Sequence, residues 1–365
     1  MKRHNWLKKH TLGLAAALLV TAGMSQIALA GDSVYVNTSS LRYRTSAQIK
    51  DNNIAGNLSY GQKLERVGTS GQWTMILLNG KKYYVSSAYV TSKKPASAGA
   101  VQTTSQTAAG AQTSGGTEIA LSSNYKYANY SKINSGTATL YRSTASNKKN
   151  KVVCVNAGHG TNGGGSVKTQ CHPDGSAKVT GGTTGAGATS AVAVSSGMTF
   201  ADGTAESKVT LAMAKVLKTK LLNAGYDVLM IRDGEDVQLD NIARSVIANN
   251  AADCHIALHW DSTTSNKGAF YMSVPDVASY KNMEPVKSHW QQHNALGASL
   301  VEGLKSAGVK IFSGGSMAMD LTQTSYSTVP SVDIELGDKA SDHSQSTLNQ
   351  LGDGLVAGVK AYFGQ

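Results

Sequence analysis

Four side chains of this 365-residue chain have the types and places to do chemistry together. His159 follows the run VVCVNA and stands between two glycines in VNAGHG. His259 comes at the end of HIAL, Glu335 near the end of SVDIEL, and Glu206 at the start of a long helical stretch. Two histidines and a glutamate are a ligand set of catalytic zinc sites, whose fourth position is left to water. Such an ion lowers the pKa of the water toward neutrality and polarises a substrate carbonyl. A second carboxylate is then needed to move protons between the attacking water and the leaving group, and Glu335 can take that part. The identity of the metal rests on ligand type, and other divalent ions suit similar sites.

These positions presuppose a fold. From about residue 119 onward, strand-like runs alternate with helical patterns: VVCVNA, ESKVTLAMAKVLKTKLLNAG, YDVLMIRD, NIARSVIANN, CHIALHW, NALGASLVEGLKSAG, SVDIEL and LGDGLVAGVKAYF. That rhythm predicts an α/β domain, a mostly parallel open sheet flanked by helices. Ligands of such sheets collect at the carboxyl ends of the strands, where His159, His259 and Glu335 fall. A helix returning antiparallel to its strands starts on the same edge, and Glu206 sits in the first turn of the helix expected from about Thr204. At about 100° per residue it shares a side with Val209, Met213, Val216 and Leu217, the stripe that packs on the sheet. A bare charge there is costly unless paired or metal-bound. Residues 161–203, rich in Gly, Thr, Ser and Ala, are too long for an ordinary loop and are expected to be functional or mobile, a lid or an extra wall of the groove.

The rest of the chain divides by composition. Residues 1–30 have a basic start, an apolar middle and the small-x-small site Ala28-Leu29-Ala30, and read as a signal peptide. Removing Lys2, Arg3, Lys8 and Lys9 takes the net charge from +11 to +7. A basic exported protein favours an anionic surface such as a bacterial wall polymer over nucleic acid. No other segment is apolar enough to form a stable membrane span, so a soluble, secreted protein is expected, and a monomer. Residues 31–94 alternate short apolar runs with turn residues, and Asn79-Gly80 between WTMILL and KKYYV is a hairpin signal; a small all-β barrel is predicted. Residues 95–118, Ala, Ser, Thr, Gly and Gln without periodicity, read as a flexible linker. Cys154, Cys171 and Cys254 are an odd set, which excludes a full disulfide framework.

From about Val152 to the end, the chain resembles the zinc-dependent N-acetylmuramoyl-L-alanine amidases of the type called amidase 3. The matching pieces are VNAGHG, the helix-borne glutamate of AES, VLMIRD followed by NIARSVIANN, HIALHWD, and VPSVDIELG. The resemblance implies one zinc on His159, Glu206 and His259, Glu335 as general acid/base, and peptidoglycan as substrate. Asn156 stands where the family often has aspartate, Trp260-Asp261 where Ala-Asn is common, and LGDKAS follows Glu335 where Gly-Phe-x-Ser-Asn is usual; these departures bear on substrate fit. Residues 31–94 are similar to bacterial SH3 domains, and their nine Lys or Arg against three Asp or Glu suit an anionic, cell-wall-associated location.

Other candidates are weaker. His289 and His293 in HWQQH have helical metal spacing without the glutamate of HExxH. His255 sits mid-strand and reads as core or as support for a ligand. Cys171-His172 lies in the 161–203 insertion with no supporting spacing. Arg232 and Arg244 are expected to pair with carboxylates or to shape the groove. Two other functions compete with an amidase: a zinc peptidase acting within the stem peptides, and a wall-binding protein without catalysis.

Overall fold

The computed structural model describes residues 32–36, 40–48, 53–59, 61–71, 73–94 and 116–365. The expected signal peptide and most of the expected linker lie outside the described residues. The chain divides into two compact units between Gln106 and Thr107.

The first unit is one antiparallel sheet of seven strands, β1 (Asp32–Val36), β2 (Ser40–Arg44), β3 (Ile54–Ser59), β4 (Lys63–Ser70), β5 (Trp73–Leu78), β6 (Lys81–Ser86) and β7 (Val90–Thr91), in the order β3-β2-β6-β5-β4-β1-β7. Period-two alternation directs Val34, Val36, Leu41, Leu58, Leu64, Ile76 and Val85 into one small core. The predicted hairpin joins β5 to β6, with Leu78 opposite Lys81. Asn79 and Gly80 both take positive φ, 51° and 75°, as a tight turn matched to strand twist requires.

The second unit begins with β8 (Thr117–Ala120), so its sheet starts two residues before the expected boundary at 119: TEIA pairs with β9 (Thr137–Tyr141). Then come β10 (Val152–Ala157), β11 (Lys168–Gln170), β12 (Ser190–Val192), α1 (Glu206–Asn223), β13 (Asp227–Met230), α2 (Asn241–Ala251) and β14 (Cys254–Asp261). The chain continues through β15 (Ala269–Ser273), α3 (Ala278–Lys281), α4 (Val286–Ser306), β16 (Ile311–Ala318), α5 (Thr322–Tyr326), β17 (Ser331–Asp338) and α6 (Gln345–Tyr362). Eight strands form one sheet in the order β16-β15-β17-β14-β10-β13-β9-β8, while β11 and β12 pair apart from it.

The sheet is mixed rather than mostly parallel. Strands β13, β10, β14 and β17 run parallel, whereas β9 meets β13, β8 meets β9, and β15 meets β17 in antiparallel fashion. The physical reason is visible at β15, which follows β14 after the short stretch 262–268. A connection of that length without a helix cannot carry the chain back to the start of the sheet, so the strand runs in reverse.

Two faces of the central strands have different chemistry. Val153, Val155, Ile256, Leu258, Val332 and Ile334 point toward α1, α4 and α6 and share their core. Alternation turns Asn156, His255, His259, Asp333 and Glu335 to the other side. The chain also changes direction beside β10: β13 is added on one flank and β14 on the other. The carboxyl end of β10 is therefore a topological switch point, the place where open α/β sheets form their crevice.

Helices α4 and α6 approach so closely that a Cβ on Gly303 would lie 2.3 Å from the carbonyl oxygen of Gly354. Gly303→Ala is therefore expected to cost about 1–3 kcal/mol by forcing the helices apart. Thermal unfolding should show a midpoint several degrees lower, and an unchanged midpoint would contradict the packing described.

Candidate metal centre and active-site cleft

The centre is built on a strained turn. His159 follows β10 with φ 63°, a left-handed value unusual for a residue with a side chain, and Gly160 continues it at 71°. Such a turn leaves carbonyls without sheet partners, and two arginines satisfy them. Arg244, in α2, donates to Ala157 O at 3.2 Å and to His159 O at 2.8 Å. Arg232, just past β13, donates to Gly158 O at 2.9 Å and Ala157 O at 3.3 Å. Both residues are 1% exposed. Of the two expectations for these arginines, carboxylate pairing is not what the structure has: the hydrogen bonds of both go to backbone carbonyls and to side-chain oxygens of Asn156, Thr161 and Thr210, while Arg244 does line the cleft. Burial pulls both below the usual arginine range, Arg232 to about 10 and Arg244 to about 9.

Glu206 is the first residue of α1 and is 2% exposed. It stands in line with Val209, Met213 and Leu217, all buried, and Val216 is partly buried beside them. Burying four such side chains, with Leu221, contributes about 6–12 kcal/mol at about 1.5–3 kcal/mol each. That exceeds the several kcal/mol needed to desolvate one carboxylate, so the helix can afford an inward acid. The acid is also hydrogen-bonded: its Oε2 accepts from Met198 N at 2.9 Å and its Oε1 from Trp260 N at 3.0 Å.

His159, Glu206 and His259 converge. His159 Nε2 is 2.9 Å from Glu206 Oε1, His259 Nδ1 is 3.1 Å from the same oxygen, and the two nitrogens are 3.0 Å apart. Ligands on a tetrahedral zinc, at about 2.0–2.1 Å, stand about 3.3–3.4 Å from one another, so a change of a few tenths of an ångström would seat an ion. Proton placement fits as well. His159 Nδ1 lies 2.9 Å from Ser195 O, an acceptor only, so that nitrogen can keep its proton when Nε2, now 2.9 Å from the Glu206 carboxylate, gives up its own to an ion. Charge favours a cation: burial lowers His259, but Asp333, Glu206 and Glu335 outweigh it and hold the metal-free imidazole at about 10. Burial opposes ionisation of Glu206 too, yet the hydrogen bonds and charges of both histidines bring it well below the usual carboxylate range.

Glu335 opens on the same cleft, directly opposite His259 across the β14–β17 pair. Its Oε2 is buried without a hydrogen-bond partner. Burial pushes its carboxyl well above the ordinary value; His259 opposes this, while Asp333 and Glu206 reinforce it. A carboxyl in such surroundings takes up a proton more readily than an exposed one, which suits a group that must both accept and return one.

The cleft has a volume of about 520 Å³. Residues 161–203 form one wall of it and are folded, carrying the antiparallel pair β11–β12. They are stapled by Asp320, which accepts from His172 at 2.9 Å and from Val179 N at 2.8 Å, with Lys178 also in contact. The end of this segment touches the centre itself through Ser195, Gly197 and Met198. Met198 makes its contact by main chain, and Ser195 by its carbonyl oxygen at 2.9 Å and its hydroxyl at 3.1 Å from His159 Nδ1. Asp333 and Asp320 also line the cleft. Sequence reasoning missed both, although Asp333 is two residues from Glu335 and so on the same strand face.

The remaining candidates have structural work. His293 Nδ1 accepts from Ser331 N at 2.9 Å, at the start of β17, and His289 Nδ1 meets Pro285 O at 2.8 Å. His255 is buried against Asn156, 3.2 Å away. All three cysteines are buried and free.

A family model described as N-acetylmuramoyl-L-alanine amidase matches residues 153–353. No curated protein matches the chain. Among solved structures it is similar to the N-acetylmuramyl-L-alanine amidase Ami1 of Mycobacterium smegmatis, at 16% identity over 60% of this chain and 99% of that one, TM-score 0.48. It is also similar to the apo form of Ami1 from Mycobacterium abscessus, at 20% identity, 58% and 98% coverage and TM-score 0.43. For the N-acetylmuramoyl-L-alanine amidase of Clostridium difficile 630 the values are 17%, 59% and 97%, and 0.42.

Two glycines test the geometry. A Cβ on Gly158 would lie 2.2 Å from His259 Cε1, and one on Gly197 2.7 Å from His159 Cδ2 and 2.8 Å from Glu206 Oε2. Gly158→Ala and Gly197→Ala should each lower zinc affinity at least about tenfold with the far-ultraviolet circular dichroism unchanged. Parental affinity in both variants, read by competition with a chromophoric chelator, would contradict the site.

Proposed function

Because the chain belongs to the N-acetylmuramoyl-L-alanine amidase family, whose model spans residues 153–353, we propose that its hydrolysis of the amide between N-acetylmuramic acid and L-alanine is zinc-dependent and centred on His159, Glu206 and His259. The observation that carries the metal reading is the convergence of one carboxylate oxygen and two imidazole nitrogens, all within 4.8 Å of one another. Bound there, zinc would lower the pKa of a water and polarise the lactyl carbonyl of the substrate.

The protein's own groups do the rest. His159, held by Ser195, and Glu206, held by Met198 and Trp260, keep their ligand atoms in place without reorganisation. Glu335 takes a proton from the attacking water and delivers it to the alanine nitrogen as the amide bond breaks. Its burial suits both steps, since a carboxyl whose pKa is raised is a stronger base and remains able to carry the proton. The wall formed by residues 161–203 limits access of bulk water and leaves a cleft into which a stem peptide can be laid.

Peptidoglycan lies outside the cytoplasmic membrane, which agrees with the signal peptide read in residues 1–30 and with a secreted, wall-associated enzyme. No helix among the described residues is long and apolar enough to cross a membrane. We assign residues 31–94 to a bacterial SH3-like domain, residues 95–118 to a linker and residues 119–365 to the catalytic domain, with β8 extending the latter to Thr117. The antiparallel sheet and the basic charge of the first domain support binding to anionic wall polymers. Tethering of that kind raises the effective concentration of the enzyme at an insoluble substrate.

Mass spectrometry of the products released from peptidoglycan by the zinc-loaded protein tests the reaction. Free stem peptides beginning with L-alanine are expected; shortened peptides still attached to muramic acid would instead mark a peptidase. Glu335→Gln should keep one zinc per chain and lose at least about a hundredfold in rate. Activity equal to the parent's would remove Glu335 from the mechanism.

A further inference from the structure

Asp333 lies on β17 opposite Ala257 of β14, one step deeper along the same face than the pair formed by Glu335 and His259. Its Oδ2 is 3.8 Å from His259 Nε2. Its Oδ1 is buried and has no hydrogen-bond partner. Buried carboxylates elsewhere in this domain are satisfied differently. Asp320 accepts from His172, Val179 and Lys178, and Asp240 from Ser131, Lys132, Ile133 and Ala243. An acid left open in a cleft wall is costly, and its position indicates what it serves.

His259 supplies the reason. Its Nδ1 is the atom that faces His159 and Glu206. To offer a lone pair there while neutral, the ring must carry its proton on Nε2, the nitrogen that faces Asp333. Histidine ligands regularly donate that second proton to a carboxylate or carbonyl, which fixes both tautomer and ring angle. His159 has such an acceptor in Ser195 O; for His259 the corresponding group is Asp333. Ala257, opposite Asp333, contributes only a methyl group to this face and leaves space for the imidazole to lean toward the acid.

We infer that Asp333 is a positioning residue of the metal centre, its carboxylate accepting from the Nε2–H of His259 so that Nδ1 is held toward the ion. The inference rests on the metal reading proposed above. A closure of about 1 Å turns the present separation into a hydrogen bond, in keeping with the way such contacts tighten when a site is loaded. Asp333 thereby differs in kind from Glu335: it acts on the far side of the imidazole, whereas Glu335 faces the reacting atoms.

The test is zinc affinity of the full chain, measured by chelator competition for the parent and for Asp333→Ala, Asp333→Asn and Glu335→Gln, with melting of each metal-free protein alongside. Asp333→Ala should bind zinc about ten- to a hundredfold more weakly. Asp333→Asn, which keeps an acceptor oxygen, should recover most of that loss, and Glu335→Gln should match the parent. Cobalt-loaded Asp333→Ala should show a shifted visible spectrum, because ring orientation changes the ligand field. Metal-free Asp333→Ala should keep the parent's far-ultraviolet circular dichroism and cooperative melting, so that the loss of affinity is read on a folded protein. Parental zinc affinity in Asp333→Ala, or a fall equally large in Glu335→Gln, would overturn the positioning role while leaving the metal centre intact. A parent that takes up no zinc would overturn the metal reading and this inference with it.

Discussion

The turn from Ala157 to Gly160 is the constraint on which the site depends. It places His159 in a left-handed conformation that costs on the order of 1–3 kcal/mol and directs three consecutive carbonyls away from the sheet. Arg232 and Arg244 hold those carbonyls, each from a different element: one follows β13, the other lies in α2. The turn is thus clamped from two separate elements later in the chain. With a lysine at either position, a single ammonium would replace a planar fork that reaches several oxygens at once. The arginines hold the backbone of the turn rather than any of the three candidate ligand atoms, yet the direction of His159 is theirs to set.

Around that turn, the division of the sheet into an apolar and a polar face brings the other groups in. The apolar face anchors α1 through Val209, Met213 and Leu217, and the same helical stripe carries Glu206 inward to meet the histidines. The polar face sets His259 beside Glu335 and, one step deeper, Ala257 beside Asp333. Residues 161–203 complete the arrangement by folding back over the cleft. Their last residues supply main-chain partners to both His159 and Glu206, so this segment is part of the centre as well as its wall.

Much of this was legible in the sequence, for identifiable reasons. The apolar runs of β10, β14 and β17 and the stripe of α1 are strong periodic signals, and His159, Glu206, His259 and Glu335 sit at their ends. The hairpin at Asn79-Gly80 is legible because only a few residues accept its backbone. What was not legible depends on contacts between distant segments. The antiparallel edges of the sheet follow from connection length and partner choice. The carbonyl clamp of Arg232 and Arg244 needs the turn to be known first. Met198 and the carbonyl of Ser195 act through backbone atoms that carry no residue signature. Asp333 could have been found, since the alternation of SVDIEL puts it on the face of Glu335, but its role appears only once Nε2 of His259 is seen to face it.

The central claim is that one metal ion sits among His159, Glu206 and His259. Anomalous diffraction at the zinc edge, from crystals of the zinc-loaded protein, addresses it most directly. A single strong peak bonded to His159 Nε2, to a Glu206 carboxylate oxygen and to His259 Nδ1 is the result expected. A peak at His289 and His293 instead, or none despite full loading, would contradict it.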